Sequence, residues 1–177
     1  HEGEDTIGWC YSWNISMYAR LEDAETAHAY LTKLLGNPFP NLFNAHRHPK
    51  ITFYPLTIEA NFAASAGIAE LLMQSHAGEL HLLPALPKAW PSGRISGIRA
   101  RGGYELDLIW ADGKLQSAAI RASQSGRCQV RTAVPIAVEG ANWEQVEDGV
   151  IAFTVEAGQS YTITADVAQL ISKGSFT

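Results

Sequence analysis

The chain reads as α+β with its elements segregated, helices first and an antiparallel β-sandwich after them. Three observations predict this. Apolar residues recur at helical spacing up to about residue 75. From Leu80 onward, short alternating runs separated by turn signals replace them. Between the two lies Gly78-Glu79-Leu80-His81-Leu82-Leu83-Pro84-Ala85-Leu86-Pro87-Lys88-Ala89-Trp90-Pro91. Its internal prolines remove backbone donors and clash with a preceding turn, so it is no ordinary helix. It is expected to be a short strand ending in a rigid, extended connection that docks the helical region onto the β part.

Residues 8–21 predict the first helix. Cys10, Trp13, Asn14, Met17 and Leu21 share one face, and Tyr11, Ile15 and Tyr18 form a second apolar strip beside it. A helix apolar over most of its circumference is buried on more than one side, as the inner helix of a helical barrel is. Asp5 and Thr6 precede it as suitable caps. Residues 22–35 predict a second helix, with Ala24, Ala27, His28, Leu31, Leu34 and Leu35 on one side. Gly36 suits its C-cap and Pro38 stops it. The short Leu21-Glu22-Asp23 join makes the two helices antiparallel neighbours. Residues 37–57 form a long segment with Pro38, Pro40, Pro49 and Pro55 among Phe39, Phe43, Phe53 and Tyr54. Loops of that length are usually functional or disordered, and this one is too aromatic for disorder. Residues 61–75 predict a third helix, whose Ala63, Ala64, Ser65, Ala66 and Gly67 permit close backbone approach.

Strands are expected at 94–100, 104–110, 115–122, 127–132, 136–139, 150–156 and 160–165. Asp112-Gly113 signals a tight hairpin, and Ala157-Gly158-Gln159 a further turn. Arg101-Gly102-Gly103 reads as a turn or bulge. Short strands at this spacing indicate a sandwich. The residues after Asp166 carry no clear pattern.

With 46% of 177 residues hydrophobic, the chain has apolar content for one domain or two small ones. A net charge of −5 with scattered cations lacks the basic stripe of a nucleic-acid binder. No apolar run is long enough to span a bilayer. Phosphate loops, dinucleotide fingerprints, serine elbows and CxxC pairs are absent from the sequence. Cys10 and Cys128 read as two buried thiols rather than a disulfide framework. The first residues show neither an initiator Met nor a signal peptide, which suits a mature, truncated or partial product.

Glu59 is the first chemical candidate. At a helix start, a carboxylate gains from the helix dipole and free backbone donors, so Glu59 reads either as a cap or as a functional acid. Asn61 reads as a cap or as a hydrogen-bonding side chain of a site. His46 and His48 make a His-X-His pair in the long loop, a solvated loop feature rather than a metal site without further ligands. Trp9 and Trp13 are four residues apart; Trp rings stack on sugar faces and also fill cores. Trp13 reads as core, and Trp9 as core or pocket. Asn14, on an apolar face, needs partners, on neighbouring helices or in a pocket. His76 and His81 read as structural. His1 has the amine and imidazole with which some copper oxygenases chelate metal. It leads into Glu2-Gly3-Glu4-Asp5 and a helix rather than a strand, which argues against copper.

The proline-bearing segment, together with Ile58-Glu59-Ala60-Asn61-Phe62, Ala66-Gly67-Ile68-Ala69-Glu70 and Gly97-Ile98-Arg99-Ala100-Arg101-Gly102-Gly103-Tyr104, resembles the C-terminal part of glycoside hydrolase family 95. The resemblance runs from about Gly8 to Val130, with the motifs in the family's order. That family holds α-L-fucosidases and α-L-galactosidases. The resemblance implies three parts: the last helices of an (α/α)6 catalytic barrel over 1–78, a C-terminal β-sandwich over 79–166, and a tail over 167–177. It also implies inverting hydrolysis of terminal α-linked L-fucose or L-galactose without a cofactor or metal, and a secreted or periplasmic location.

In the family, the position of Glu59 resembles the acid of a Gln-Ile-Asp-Gly-Asn-Phe-Gly-type motif, on the water-activating side of the sugar. Inversion needs an acid and a base on opposite faces with room for water between them. Here Asp has become Glu59 and the flanking glycines have become Ala60 and Ala63. The added methylene moves the carboxylate by about an ångström, a displacement that can cost about a hundredfold in rate. Trp9, in Gly8-Trp9-Cys10, resembles a Gly-Trp-Ser element near the pocket. His48-Pro49 matches a His-Pro dipeptide that precedes the acid, although Glu59 lies farther downstream here. Catalytic Glu59 with substrate contacts Trp9, His48 and Asn61 is the implied site. The general acid would come from earlier barrel helices, so the expected partners are an oligosaccharide and the N-terminal part of the same enzyme. These 177 residues alone are expected to be inactive and to expose apolar faces such as Cys10-Trp13-Met17 and Ile68-Leu72. The competing readings are a non-catalytic carbohydrate-binding or structural module, and an autonomous enzyme.

Overall fold

A computed structural model describes residues 8–36 and 58–165. The chain divides into two compact units, His1–Leu72 and Met73–Thr177. The first holds α1 (Gly8–Arg20), α2 (Ala24–Leu35) and α3 (Ile58–Leu72).

In α1 the buried residues are Gly8, Ser12, Ile15 and Ala19; in α3, Ala60, Ala64, Gly67 and Leu71 follow the same four-three-four spacing, with Leu72 beside them. Most are small, so the two helix backbones approach closely. A Cβ added at Gly67 would lie 2.6 Å from Ile15 Cγ2 and 3.3 Å from Ser16 Oγ. The buried Ser12 hydroxyl stays satisfied by donating to the Trp9 carbonyl at 2.9 Å. Near the other end, the Arg20 guanidinium grips the Glu70 carboxylate through two hydrogen bonds, 3.2 and 3.0 Å long. Contacts run from 15 to 67 and from 20 to 70, so α1 and α3 are parallel.

The strip Tyr11-Ile15-Tyr18 packs as the sequence predicts. Tyr30 of α2 stacks on Tyr18 at 5.6 Å and meets Tyr11 at 6.1 Å. Between α1 and α2, Asp23 and Glu22 donate back to Tyr18 and Ala19, a Schellman closure with Glu22 left-handed at φ 60°. Asp23 then caps α2, its Oδ1 accepting from the Thr26 amide at 3.1 Å. Gly36 ends α2 with a right-handed φ of −68°, so the left-handed freedom of glycine is unused there. Asn14 was expected to bond another helix or a pocket. Instead it donates to the Cys10 carbonyl of its own helix at 2.9 Å, the nearest available acceptor.

Two expectations fail on α1 and α3. Trp13, read as core, is 58% exposed, because the packed stripe is Gly8-Ser12-Ile15-Ala19 on another side of the helix; the expected exposure of the Cys10-Trp13-Met17 face holds at Trp13 and Met17. Leu72, expected to be uncovered, is buried.

The second unit holds ten strands: β1 (Met73–Gln74), β2 (Leu80–Leu82), β3 (Gly93–Ala100), β4 (Tyr104–Ala111), β5 (Lys114–Ala122), β6 (Gly126–Arg131), β7 (Ile136–Glu139), β8 (Trp143–Glu147), β9 (Val150–Val155) and β10 (Ser160–Ala165). They form two five-stranded sheets, ordered β1-β2-β6-β9-β8 and β3-β4-β5-β10-β7. One core lies between them. Leu106, Leu108, Leu115, Ile120 and Ile163 come from the second sheet; Leu80, Leu82, Val130, Phe153 and Val155 come from the first. Alternation along each strand makes this possible, since successive side chains point to opposite faces.

The sandwich is not wholly antiparallel as expected: β2 pairs with β6 in parallel register. Three strands intervene between them, so no tight hairpin dictates direction. The two compact units meet between Leu72 and Met73. Met73 and Gln74 leave the helix and pair with Leu82 and His81. The proline-bearing segment is anchored within the second unit. Trp110 Nε1 donates to the Trp90 carbonyl at 2.9 Å and the Gly113 amide to the Pro91 carbonyl at 2.8 Å. Asp112 and Gly113 form the expected hairpin turn, both at positive φ.

Candidate functional site

Two helix starts come together at one end of the helical unit. Because α1 and α3 are parallel and in register, Trp9 in the first turn of α1 lies at the same end as Glu59 and Asn61 in the first turn of α3. The first-turn amide groups and positive dipole ends of both helices face that end too. Three of the four residues singled out from the sequence thus lie at one end of the helical unit. The fourth, His48, lies outside the described residues, as do Asp5, Thr6 and the whole of segment 37–57.

Glu59 is exposed, and among the described residues it makes no hydrogen bond or ion pair. It is the second residue of α3, which starts three positions earlier than expected. Asn61 therefore sits inside the helix as its fourth residue, not at the cap, and its carbonyl accepts from Ser65 Oγ at 3.0 Å. An amide there projects from the helix flank. Trp9 is 39% exposed and meets Trp13 at 5.8 Å with the rings tilted by 59°. Phe62, not singled out from the sequence as a site residue, is 69% exposed on the first turns of α3. The available signal was the four-residue spacing of Ile58, Phe62 and Ala66, distinct from the buried Ala60-Ala64 stripe. An uncommitted carboxylate, an amide and aromatic faces at the positive ends of two helices are the groups that orient a polyol and activate water.

Elsewhere the titratable groups are committed to structure. Glu70 holds Arg20 firmly protonated through hydrogen bonding and charge. In the second unit, burial pushes the Cys128 thiol up to about 12, the hydrogen bond with Tyr104 opposing this in part. Burial, and then the neighbouring Cys128, push Tyr104 up to about 12. A thiol that is 1% exposed and kept neutral is neither a nucleophile nor a metal ligand. Cys10 and Cys128 are both free, and Cys10 is only partly buried. On the outer face of the second sheet, Arg121 bridges Glu105 and Asp107, with Arg99 also on Glu105. Hydrogen bonds from Arg121 and from the Gly97 amide hold the Asp107 carboxyl below its usual range. Arg131 joins Glu79 to Glu147. Among the described residues no three His, Cys, Asp or Glu side chains gather as a metal site, and no helix is long and apolar enough to cross a membrane.

Comparison with known proteins gives a consistent picture. Residues 1–72 match a family model described as the glycosyl hydrolase family 95 catalytic domain, and residues 74–163 match one described as the glycoside hydrolase family 95 C-terminal domain. The join between the models coincides with the join between the structural units. The chain is similar to alpha-L-fucosidase 2 of Arabidopsis thaliana, 36% identical over 126 residues, covering 64% of this chain and 14% of that protein. It is also similar to probable alpha-fucosidase A of Aspergillus oryzae, 29% identical over 117 residues, covering 58% of this chain and 16% of that protein. Probable alpha-fucosidase A of Aspergillus niger is 26% identical over 121 residues, 62% of this chain and 15% of that protein. The chain thus spans about one seventh of the length of these curated relatives.

Proposed function

The chain belongs to glycoside hydrolase family 95, and from that premise we propose that it is part of an enzyme removing terminal α-linked L-fucose, or L-galactose, from glycans. Water attacks the anomeric carbon from the face opposite the leaving oxygen, and the product is inverted. Glu59 stands on the water-activating side, assisted by groups from elsewhere in the catalytic domain. Trp9 offers a ring face to the sugar, and Asn61 and His48 contact its hydroxyls. The general acid comes from the rest of the catalytic domain, whose helices complete an (α/α)6 barrel with α1, α2 and α3. The 177 residues are inactive by themselves.

The observation that carries this reading is Glu59: an exposed carboxylate at the shared end of two parallel helices, used by nothing in the described fold. A structural cap would be spent on backbone amides. The exposed stripe of Trp13, Met17 and Leu21 supports a continuation of the barrel against α1, since monomeric proteins seldom leave such surface bare.

The test is hydrolysis of an aryl α-L-fucoside and an aryl α-L-galactoside by the enzyme with its complete catalytic domain, wild type against Glu59→Gln. Loss of a water-activating carboxylate is expected to lower kcat by about 10²–10⁴-fold with the fold intact. Proton NMR of the first-formed sugar is expected to show the inverted anomer. Equal rates for the two proteins, or a retained anomer, would sink the assignment.

A further inference from the structure

We propose that the β-sandwich carries its own binding cleft for a neutral glycan chain. An open cleft of about 530 Å³ lies at one end of the sandwich, within the size range of small-ligand sites. Two of the connections that cross between the sheets form it, residues 140–142 from β7 to β8 and residues 156–159 from β9 to β10. Asn142, Thr154, Glu156, Gln159 and Ser160 line it, with Tyr161 behind them.

Three features decide the ligand class. First, the side chains of Asn142, Thr154, Glu156, Gln159 and Ser160 make no hydrogen bond or ion pair among the described residues. Elsewhere in this unit the charged side chains of Glu79, Glu105, Asp107, Arg121 and Arg131 are spent on one another. Two amides, two hydroxyls and one carboxylate supply mixed donors and acceptors, the complement of vicinal hydroxyl groups on a sugar. Second, the lining holds no Lys, Arg or His, so phosphate, sulfate and acidic sugars find no countercharge and meet Glu156. Third, the wall is fixed and partly apolar. Tyr161 is 6% exposed, its hydroxyl accepts from the Glu156 amide at 2.9 Å, and its ring packs on Phe153 at 5.4 Å. Gly140, at φ 91°, places no side chain in front of that ring. A sugar C–H face can therefore approach the ring edge while its hydroxyls reach the amides.

This cleft deepens the proposed function by giving the enzyme a second hold on its polymeric substrate, and it belongs to the sandwich alone. The experiment titrates the complete 177-residue chain with 2′-fucosyllactose, maltotriose and sialyllactose, following backbone amides by two-dimensional NMR. The neutral sugars are expected to bind with a Kd on the order of millimolar, as suits an open polar cleft. Shifts should gather at 140–142 and 154–161. Asn142→Ala combined with Gln159→Ala is expected to weaken binding about tenfold or more; both side chains are exposed or unbonded, and an unchanged spectrum elsewhere confirms the fold. Sialyllactose is expected to bind more weakly than the neutral sugars. No shifts at these positions, an unaffected double variant, or preference for the acidic sugar would each overturn the proposal. The cleft is read only on amides 140–142 and 154–161 of the sandwich and the catalytic assignment only on hydrolysis, so a failure of one and a failure of the other are read separately.

Discussion

Gly67 sets the distance between the two helix ends that carry the proposed site, and Gly67→Ala tests that geometry. The new Cβ would sit 2.6 Å from Ile15 Cγ2, where ordinary contact begins near 3.4 Å, so the helices must open by about 0.8 Å or Ile15 must shift. Overpacking of this kind costs about 1–3 kcal/mol. Replacing glycine inside a helix returns about 1 kcal/mol of propensity. The net destabilisation is thus about 0–2 kcal/mol, too small a window to judge from one variant. The decisive quantity is the coupling with Ile15→Ala, which removes the methyl group in the way. Alone, that change opens a cavity at a fully buried side chain and costs about 2–5 kcal/mol. Combined with Gly67→Ala it should cost about 1–3 kcal/mol less, because the alanine methyl fills the space. Thermal unfolding followed by the helical circular dichroism signal measures all four corners of the cycle. Costs that add within about 0.5 kcal/mol would refute direct contact between these positions. Activity provides a second readout. A misplacement approaching 1 Å between Trp9 and Glu59 is expected to lower kcat/KM by about 10–100-fold in the complete enzyme. Normal activity in a protein that shows the coupling would mean that these two residues do not share one sugar.

Other consequences follow from the sandwich. Gly93→Ala places a Cβ 2.3 Å from Trp110 Cζ2, a ring held in place by its bond to the Trp90 carbonyl. A loss of about 1–3 kcal/mol in urea unfolding is expected, and an unchanged midpoint would contradict it. Burial pushes the Cys128 thiol up to about 12 from its ordinary value near 9, so its stabilising contribution is complete below pH 9 and is lost as pH rises toward 12. Stability should fall by up to about 1.4 kcal/mol per pH unit above pH 9, with Tyr104 adding to the loss above about pH 10. Cys128→Ala should flatten the first part of that slope, and parallel pH profiles for the two proteins would count against the buried thiol. Asp107 has the opposite sign. Its lowered carboxyl stabilises above the usual carboxylate range and loses the effect as pH falls through its folded value. Because its side chain is 32% exposed, Asp107→Asn should cost only about 1 kcal/mol or less near neutral pH. The gap from wild type should close on acidification; a gap that stays constant to low pH would exclude charge as its origin.

Much of the local structure was legible. The Asp112-Gly113 turn, the alternation Tyr104-Leu106-Leu108-Trp110 and the seven strands read from residue 94 onward all have counterparts, because period and turn chemistry act over a few residues. β8 was missed: Trp143-Glu144-Gln145-Val146-Glu147 is polar on both faces, as an edge strand tolerates. The Asp148-Gly149 pair that turns it into β9 was the available signal. β1 was hidden inside the apolar tail of α3, since Met73 and Gln74 suit a helix until β2 offers its edge.

The sequence by itself determined where helices give way to strands, which family the chain resembles, and that Glu59 is the residue to examine. These are written in spacing, prolines and motif order, which need no partner to be read. Tertiary structure decided which face of α1 is packed. Two apolar stripes compete on that helix, and the one holding Gly8, Ser12, Ile15 and Ala19 is buried, with Ile15 seated against Gly67, which has no side chain in its way. It also decided the parallel β2–β6 pairing and the convergence of residues 140–142 and 156–159 into a cleft. Partners far apart along the chain leave no periodic trace in either segment, so their meeting is settled only when the sheets close over a common core.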